Sequence, residues 1–292
     1  MATLRTAARR LVLGQSFAKP IVSFQSHRSL MTLPSFSLEG KTCVVTGAAR
    51  GIGKEFLTAF ALSGARGACV DLSLQSGKDS IAHIKEHISS QPTVSNSYDP
   101  ELRAYSCDVT SESEVQETWK SIVKDFGKVD VVVTAAGIVA NYEAENYPYD
   151  RWKNMIDVNL NGSFLFAREA GKYWINQKLK GNLILVSSMS ASICVRPQKQ
   201  AAYNASKGAV SLLGRSLATE WADKGIRVNS LCPGYMKTDL IIGLLEHEGQ
   251  EIEDNWVKDI PMGRLGHPSE LQGTVVWMAS DASSYLNGSD IV

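Results

Sequence analysis

The chain has 292 residues, in which 30 lysines and arginines balance 30 aspartates and glutamates, with 44% hydrophobic and 21% charged residues. That length suits one large domain, and the missing net basic field speaks against a nucleic-acid partner. No apolar run approaches the ~20 residues of a membrane-spanning helix, and the composition is that of a folded chain rather than a disordered one.

Charge is unevenly placed. Arg5, Arg9, Arg10, Lys19 and Arg28 all precede the first acid, Glu39, and Leu4, Ala8, Leu11 and Val12 fall on one helical face beside the arginines. An Arg-rich, acid-free start has the composition of a mitochondrial transit peptide, so residues 1–31 read as a targeting segment for the matrix. A disordered basic tail on a cytoplasmic protein is the alternative, and Met31 offers an internal start. The apolar residues 11–13 are too few for the core of a secretory signal.

From residue 41 onward, short β-branched runs alternate with longer helical stretches. Residues 42–46, 67–71, 103–107, 129–134, 182–188 and 227–231 are apolar without alternation, the pattern of strands buried on both faces. Helices are expected over 52–63, 76–89, 112–126, 149–177, 202–224 and 269–280. This β-then-α order predicts an α/β fold with a doubly wound parallel sheet of Rossmann type. Residues 89–101, rich in Ser and Pro, read as a surface loop. At the other end, residues 290–292 start an apolar strand that stops short of the usual ~5 residues, so a truncated last strand is expected.

Cys43, Cys69, Cys107, Cys194 and Cys232 form no CxxC pair and no Cys/His ligand spacing. They read as buried, reduced thiols, mostly in apolar runs, with neither a disulfide framework nor a metal site expected.

Chemistry enters at the first strand–helix junction, Thr46-Gly47-Ala48-Ala49-Arg50-Gly51-Ile52-Gly53. Glycines allow a tight turn and close approach of a pyrophosphate, and free N–H groups at the helix start offer anion partners. The second strand ends in Asp71, which can hydrogen-bond adenine-ribose hydroxyls and repel a 2′-phosphate, favouring NAD; a helix N-cap is its structural reading. Arg50 is a cation that could take a 2′-phosphate, which leaves NADP open. Farther on, Tyr203 and Lys207 are i and i+4 on a predicted helix, sharing a face. A nearby ammonium favours phenolate, so the pair predicts a tyrosine pKa drawn towards neutrality and usable in general acid/base work. Ser187-Ser188 lies at the end of the preceding strand, where open α/β sheets place ligands.

In this order, Thr-Gly-x-x-x-Gly-x-Gly, Asp71, Cys107-Asp108-Val109, a serine, Tyr-x-x-x-Lys and Pro233-Gly234 resemble the short-chain dehydrogenase/reductase family over residues 38–292. The resemblance implies that Ser188 polarises the substrate oxygen, Tyr203 exchanges its proton, and Lys207 holds the nicotinamide ribose and tunes Tyr203. It also implies that Asn159 positions a water in the proton relay and belongs to the cofactor-binding set. Gly47, Arg50, Gly51, Ile52, Gly53, Asp71, Asp108, Val109 and Gly137 would line the dinucleotide, with Pro233, Gly234, Met236 and Thr238 on its nicotinamide side. Three departures stand out: the usual Asn-Asn-Ala-Gly is Thr134-Ala135-Ala136-Gly137, the serine-to-tyrosine interval is longer by two residues around 196–200, and the Asp-Gly-Gly-type end that continues the family's last strand is missing. Ser190 has the more usual spacing, whereas Ser188 sits better at the strand end.

Residues 196–207 and 233–240 look most like the polyol dehydrogenases of fungi, of arabinitol, mannitol, sorbitol and xylulose type. The implied function is hydride transfer between a nicotinamide cofactor, NAD first and NADP second, and an open-chain polyol/2-ketose pair, as in an arabinitol 2-dehydrogenase. Gln198 and Asn141 are candidate polar contacts for it. An NADP-linked reductase of 3-oxoacyl or other carbonyl substrates, with an apolar groove in place of convergent donors, is the alternative. Phe164, Leu165, Ala209, Leu212, Leu213, Leu217 and Trp221 give helices 149–177 and 202–224 more apolar surface than one packed stripe needs, so a homodimer or homotetramer is expected.

Overall fold

The computed structural model describes residues 33–92, 98–248 and 250–292; the basic segment 1–31 and residues 93–97 of the loop after the second helix lie outside the described residues. Seven parallel strands form one sheet: β1 (Thr42–Thr46), β2 (Arg66–Asp71), β3 (Leu102–Ser106), β4 (Val131–Thr134), β5 (Gly181–Val186), β6 (Ile226–Leu231) and β7 (Asp290–Ile291). Their order is β3-β2-β1-β4-β5-β6-β7. β1 thus has β2 on one side and β4 on the other, and the chain reverses its direction of winding there, opening a crevice at the carboxyl ends of the strands.

Alternation sorts the side chains. Every residue of β1 is buried, and Cys43 and Val45 face one layer while Val44 faces the other. The first layer packs Phe56, Leu57 and Phe60 of α1 (Gly51–Leu62), Ile84 and Ile88 of α2 (Leu74–Ser89), and Val275 and Met278 of α9 (Gln272–Ala279). The second packs Trp119 and Ile122 of α3 (Glu112–Phe126), Phe166 and Trp174 of α5 (Gly162–Asn176), and Val210 of α6 (Ala201–Trp221). Two apolar faces on one sheet explain why the strands read as continuous apolar runs. Among the described residues no helix is long and apolar enough to cross a membrane.

Four expectations are corrected. Of the five cysteines read as buried, Cys194 is exposed on the connection after β5. The helix read over 149–177 is α4 (Tyr149–Ile156) and α5 separated by a π-helical turn, Asp157–Asn161. The wide turn turns the Asn159 amide onto Ile138 in the loop after β4, accepting from its N–H at 2.8 Å and donating to its C=O at 3.0 Å. No helix is expected over residues 239–260, yet α7 (Asp239–Glu248) and α8 (Gln250–Asp259) lie there; the apolar residues of α7 are bunched at 240–245 around Gly243, whereas in α8 Ile252, Trp256 and Val257 keep helical spacing and were the signal available. Of the residues read as a second apolar face, Leu217 is buried in the second layer and Leu165, Leu213 and Trp221 pack partly against it, whereas Phe164 and Leu212 are 41% and 60% exposed.

Candidate active site

β1 runs into the glycine turn, and its tightness is measurable. A Cβ on Gly53 would stand 2.2 Å from the carbonyl oxygen of Gly47, and one on Gly47, at φ +66°, would stand 2.7 Å from Cα of Ala136. Only hydrogen fits at either position, which lets the turn close against β4 and start α1 at Gly51. The first-turn amides of α1 have no intrahelical acceptor, and Gly51, Ile52 and Gly53 line the crevice. Asp71, at the tip of β2, accepts from the N–H of Ala49 at 3.0 Å and from that of Leu72 at 2.9 Å, fastening the second strand to the turn.

These groups open onto a cleft of about 410 Å³. Gly47, Arg50, Gly51, Ile52, Gly53 and Asp71 line one end, with Asp108, Val109 and Gly137 along the side. Asp108 is fixed by its own turn: its Oδ1 accepts from the N–H of Thr110 at 2.9 Å and its N–H donates to Glu114 at 2.9 Å. Ser188, Tyr203, Lys207, Pro233, Gly234 and Thr238 line the rest. Thr238 approaches a Cβ position on Gly51 to 3.7 Å, so the segment after β6 folds back over the turn.

Two expected members do not line the cleft. Asn159 is fully buried beneath it, where its amide also donates to Ser206 Oγ at 3.0 Å. Met236 is buried in a short bridge to Gly266. Ser190 is buried too and does not line the cleft, whereas Ser188 does. Gln198 and Asn141 are also absent from the lining. Sequence reasoning missed Leu72, Cys107, Ala135, Ala136, Ile138, Val139, Val158, Val186 and Asp239, which do line it. Most of them follow a strand end or flank a recognised motif residue, and that position was the signal available.

Tyr203 and Lys207 share a face of α6, but not with the expected electrostatics. The Lys207 ammonium donates to the carbonyl of Val186 at 2.8 Å and stands 5.8 Å from the centre of the Tyr203 ring. Burial pushes Tyr203 above its ordinary value, opposed by a hydrogen bond with Ser188; the expected descent towards neutrality is absent. Burial brings Lys207 itself down to about 8. A Cβ on Gly137 would meet Asn159 Oδ1 at 3.3 Å and Lys207 Nζ at 3.5 Å, so the loop after β4 passes close to the lysine, with room for only a small residue. In place of the family's asparagines, Thr134 Oγ1 is buried without a partner, while Thr46 Oγ1 accepts from the N–H of Ala136 at 3.1 Å and braces the strands. Among the described residues no group of three or more His, Cys, Asp or Glu is arranged to hold a metal ion.

A doubly wound sheet with a steric glycine turn at its switch point, an acid at the tip of β2, and serine, tyrosine and lysine in one cleft defines a nicotinamide-dinucleotide oxidoreductase. A family model described as enoyl-(acyl carrier protein) reductase matches residues 47–292. The sorbose reductase of Candida albicans is 38% identical over 89% of this chain and 87% of that protein. The NADP-dependent mannitol dehydrogenase of Alternaria alternata is 39% identical over 88% and 92%, and the ribulose-forming D-arabinitol 2-dehydrogenase of Candida tropicalis 36% identical over 89% and 93%. The crystal structure of a short-chain type dehydrogenase/reductase from Mycobacterium marinum superposes with a TM-score of 0.80 at 34% identity, over 88% of this chain and 95% of that one. The chain belongs to the short-chain dehydrogenase/reductase family, whose members are NAD(P)-dependent.

Proposed function

We propose that the protein interconverts an open-chain polyol and its 2-ketose, with Ser188, Tyr203 and Lys207 as the working groups. The observation that carries the reading is that these three side chains line the same cleft as the glycine turn and Asp71. The sugar and polyol names of the relatives support the substrate class. The first-turn amides of α1, Asp71, Val109, Gly137, Lys207 and Thr238 would hold a nicotinamide dinucleotide, which when bound supplies the hydride donor or acceptor. Ser188 Oγ orients the substrate oxygen from the end of β5. Tyr203 exchanges a proton with that oxygen; because burial keeps its hydroxyl protonated, it is set to give the proton during ketose reduction. Lys207 would hold the ribose, and Asn159 braces the loop that passes beside it.

NAD is the preferred cofactor in this reading, because the Asp71 carboxylate at the ribose end disfavours a 2′-phosphate. Arg50, exposed on the same wall, is the group through which NADP would bind. Rates with NAD(H) and NADP(H) over a panel of pentitols, hexitols and 2-ketoses test both parts; no turnover with any of them overturns the substrate class. Acyl carbonyls are the second reading, favoured by the apolar wall of Ile138, Val139 and Val158, and an acyl-thioester in the same panel decides it.

Residues 1–31 act in this reading as a mitochondrial import segment. Deleting them is expected to leave a folded, active, cytosolic enzyme; loss of the fold would overturn that role. Exposed Phe164 and Leu212 support pairing of α5 and α6 between two subunits, and a monomeric mass in sedimentation at micromolar concentration would overturn it.

A further inference from the structure

Three segments distant in sequence meet beside the Ser188–Tyr203 end of the cleft. One is the connection from Ser188 to Tyr203, and another is the run after β6, in which Tyr235 follows the cleft-lining Pro233 and Gly234. The third is α8. The run after β6 is pinned from behind, where the N–H of Lys237 donates to Gly266 at 2.8 Å and that of Gly266 to Tyr235 at 2.9 Å. α8 is stacked onto it: the rings of Tyr235 and buried Trp256 lie 4.4 Å apart at 13°, and Lys237 pairs with Glu253 at 2.7 Å.

The Ser188–Tyr203 connection reaches this pair through one carboxamide, that of Gln198. In the orientation that satisfies both its ends, the nitrogen donates to Arg196 C=O at 3.1 Å and to Tyr235 Oη at 3.0 Å. The oxygen accepts from Tyr235 Oη at 2.8 Å and from Trp256 Nε1. All of Gln198's hydrogen-bonding capacity is thereby used within the protein, which is why it does not serve as a ready contact for substrate hydroxyls. Gln198 also falls in the stretch that makes the serine-to-tyrosine interval longer than the family's usual one.

We propose that Gln198 is a positioning residue, a latch that ties the Ser188–Tyr203 connection to Tyr235 and Trp256 and so holds the substrate-side wall in place before substrate arrives. The proposal rests on the polyol reading above for its kinetic consequence, but not for its structural one. A preformed wall lowers the ordering cost of binding, so the latch acts on substrate affinity and leaves the chemical step alone.

The test uses the whole chain carrying Gln198→Leu, Tyr235→Phe, and both. For the best polyol, Q198L is expected to raise KM ~10-fold while kcat stays within ~3-fold and dinucleotide Kd is unchanged. Because both substitutions break the same tie, the double variant should be little worse than Q198L. Without substrate, amide hydrogen exchange over residues 235–238 and 253–259 should quicken in Q198L. Unchanged exchange, additive losses in the double variant, or an equal fall in kcat and dinucleotide affinity would each overturn the latch. If the wild type turns over no polyol while exchange still quickens, the substrate reading falls and the latch stands.

Discussion

Between β1 and α1 the cleft is walled by main chain. Gly47 and Gly53 are held by contacts that any Cβ would violate, and the groups at this end are backbone amides, the exposed Arg50 and one carboxylate, Asp71, itself fastened to the turn. At the opposite end the wall is made of side chains: Ser188, Tyr203 and Lys207 from β5 and α6, backed by Gln198, Tyr235 and Trp256 from three separate segments. The first end has almost no freedom to vary, because its geometry is steric. The second can be re-furnished one residue at a time without disturbing the sheet, which is how a shared dinucleotide cradle serves many substrates.

The contrast is sharpest at Gly53. Gly53→Ala sets a methyl group against a carbonyl oxygen and is expected to cost ~3 kcal/mol or more of stability, with dinucleotide binding lost. Thermal melting and equilibrium binding check this; a variant that still binds within tenfold of the wild type would show the cradle is not sterically set. At the other end, Tyr203→Phe removes one hydroxyl and should lower turnover ~10²- to 10⁴-fold with dinucleotide Kd unaltered. Near-normal turnover would dismiss Tyr203 as the proton donor.

A smaller effect is expected where a side chain serves the main-chain end. Asp71→Ala removes the carboxylate that would face the ribose and should move the ratio of kcat/KM for NAD over NADP ~10-fold towards NADP. A wild type that already prefers NADP would break that assignment.

The smallest effect is in pH. Lys207, lowered by burial to about 8, carries its charge below that pH and loses it above, while Tyr203, raised by burial, keeps its proton throughout. NADH affinity should therefore be flat below about pH 8 and weaken ~3-fold above it as the charged hydrogen bond becomes a neutral one. Lys207→Arg keeps the charge and should flatten the profile; a decline that persists in that variant belongs to another group.

Legibility in the sequence followed the same divide. The glycine turn, the tip of β2 and the Tyr203–Lys207 pair could be read directly, since each is a feature of consecutive residues or of one helical turn. Asn159 was recognisable as a site residue, but its position beneath the cleft was not, because its partners Ile138 and Ser206 come from other elements. The lysine's effect on the tyrosine was misread for a related reason. Spacing places two side chains on one face, but it does not reveal that burial dominates or that the ammonium is held by Val186.

By itself, the sequence determined the number and direction of the main strands, the two-layered core and the place of the cradle, because strand period, helix period and glycine sterics are local properties of the chain. Only the tertiary structure decided that the long helix opens into a π-turn at Asp157–Asn161, that Thr46 braces the loop after β4, and that Gln198 joins two distant segments. Each depends on hydrogen bonds between residues tens of positions apart, whose meeting is set by the packing of the whole sheet and its helices rather than by any pattern along the chain.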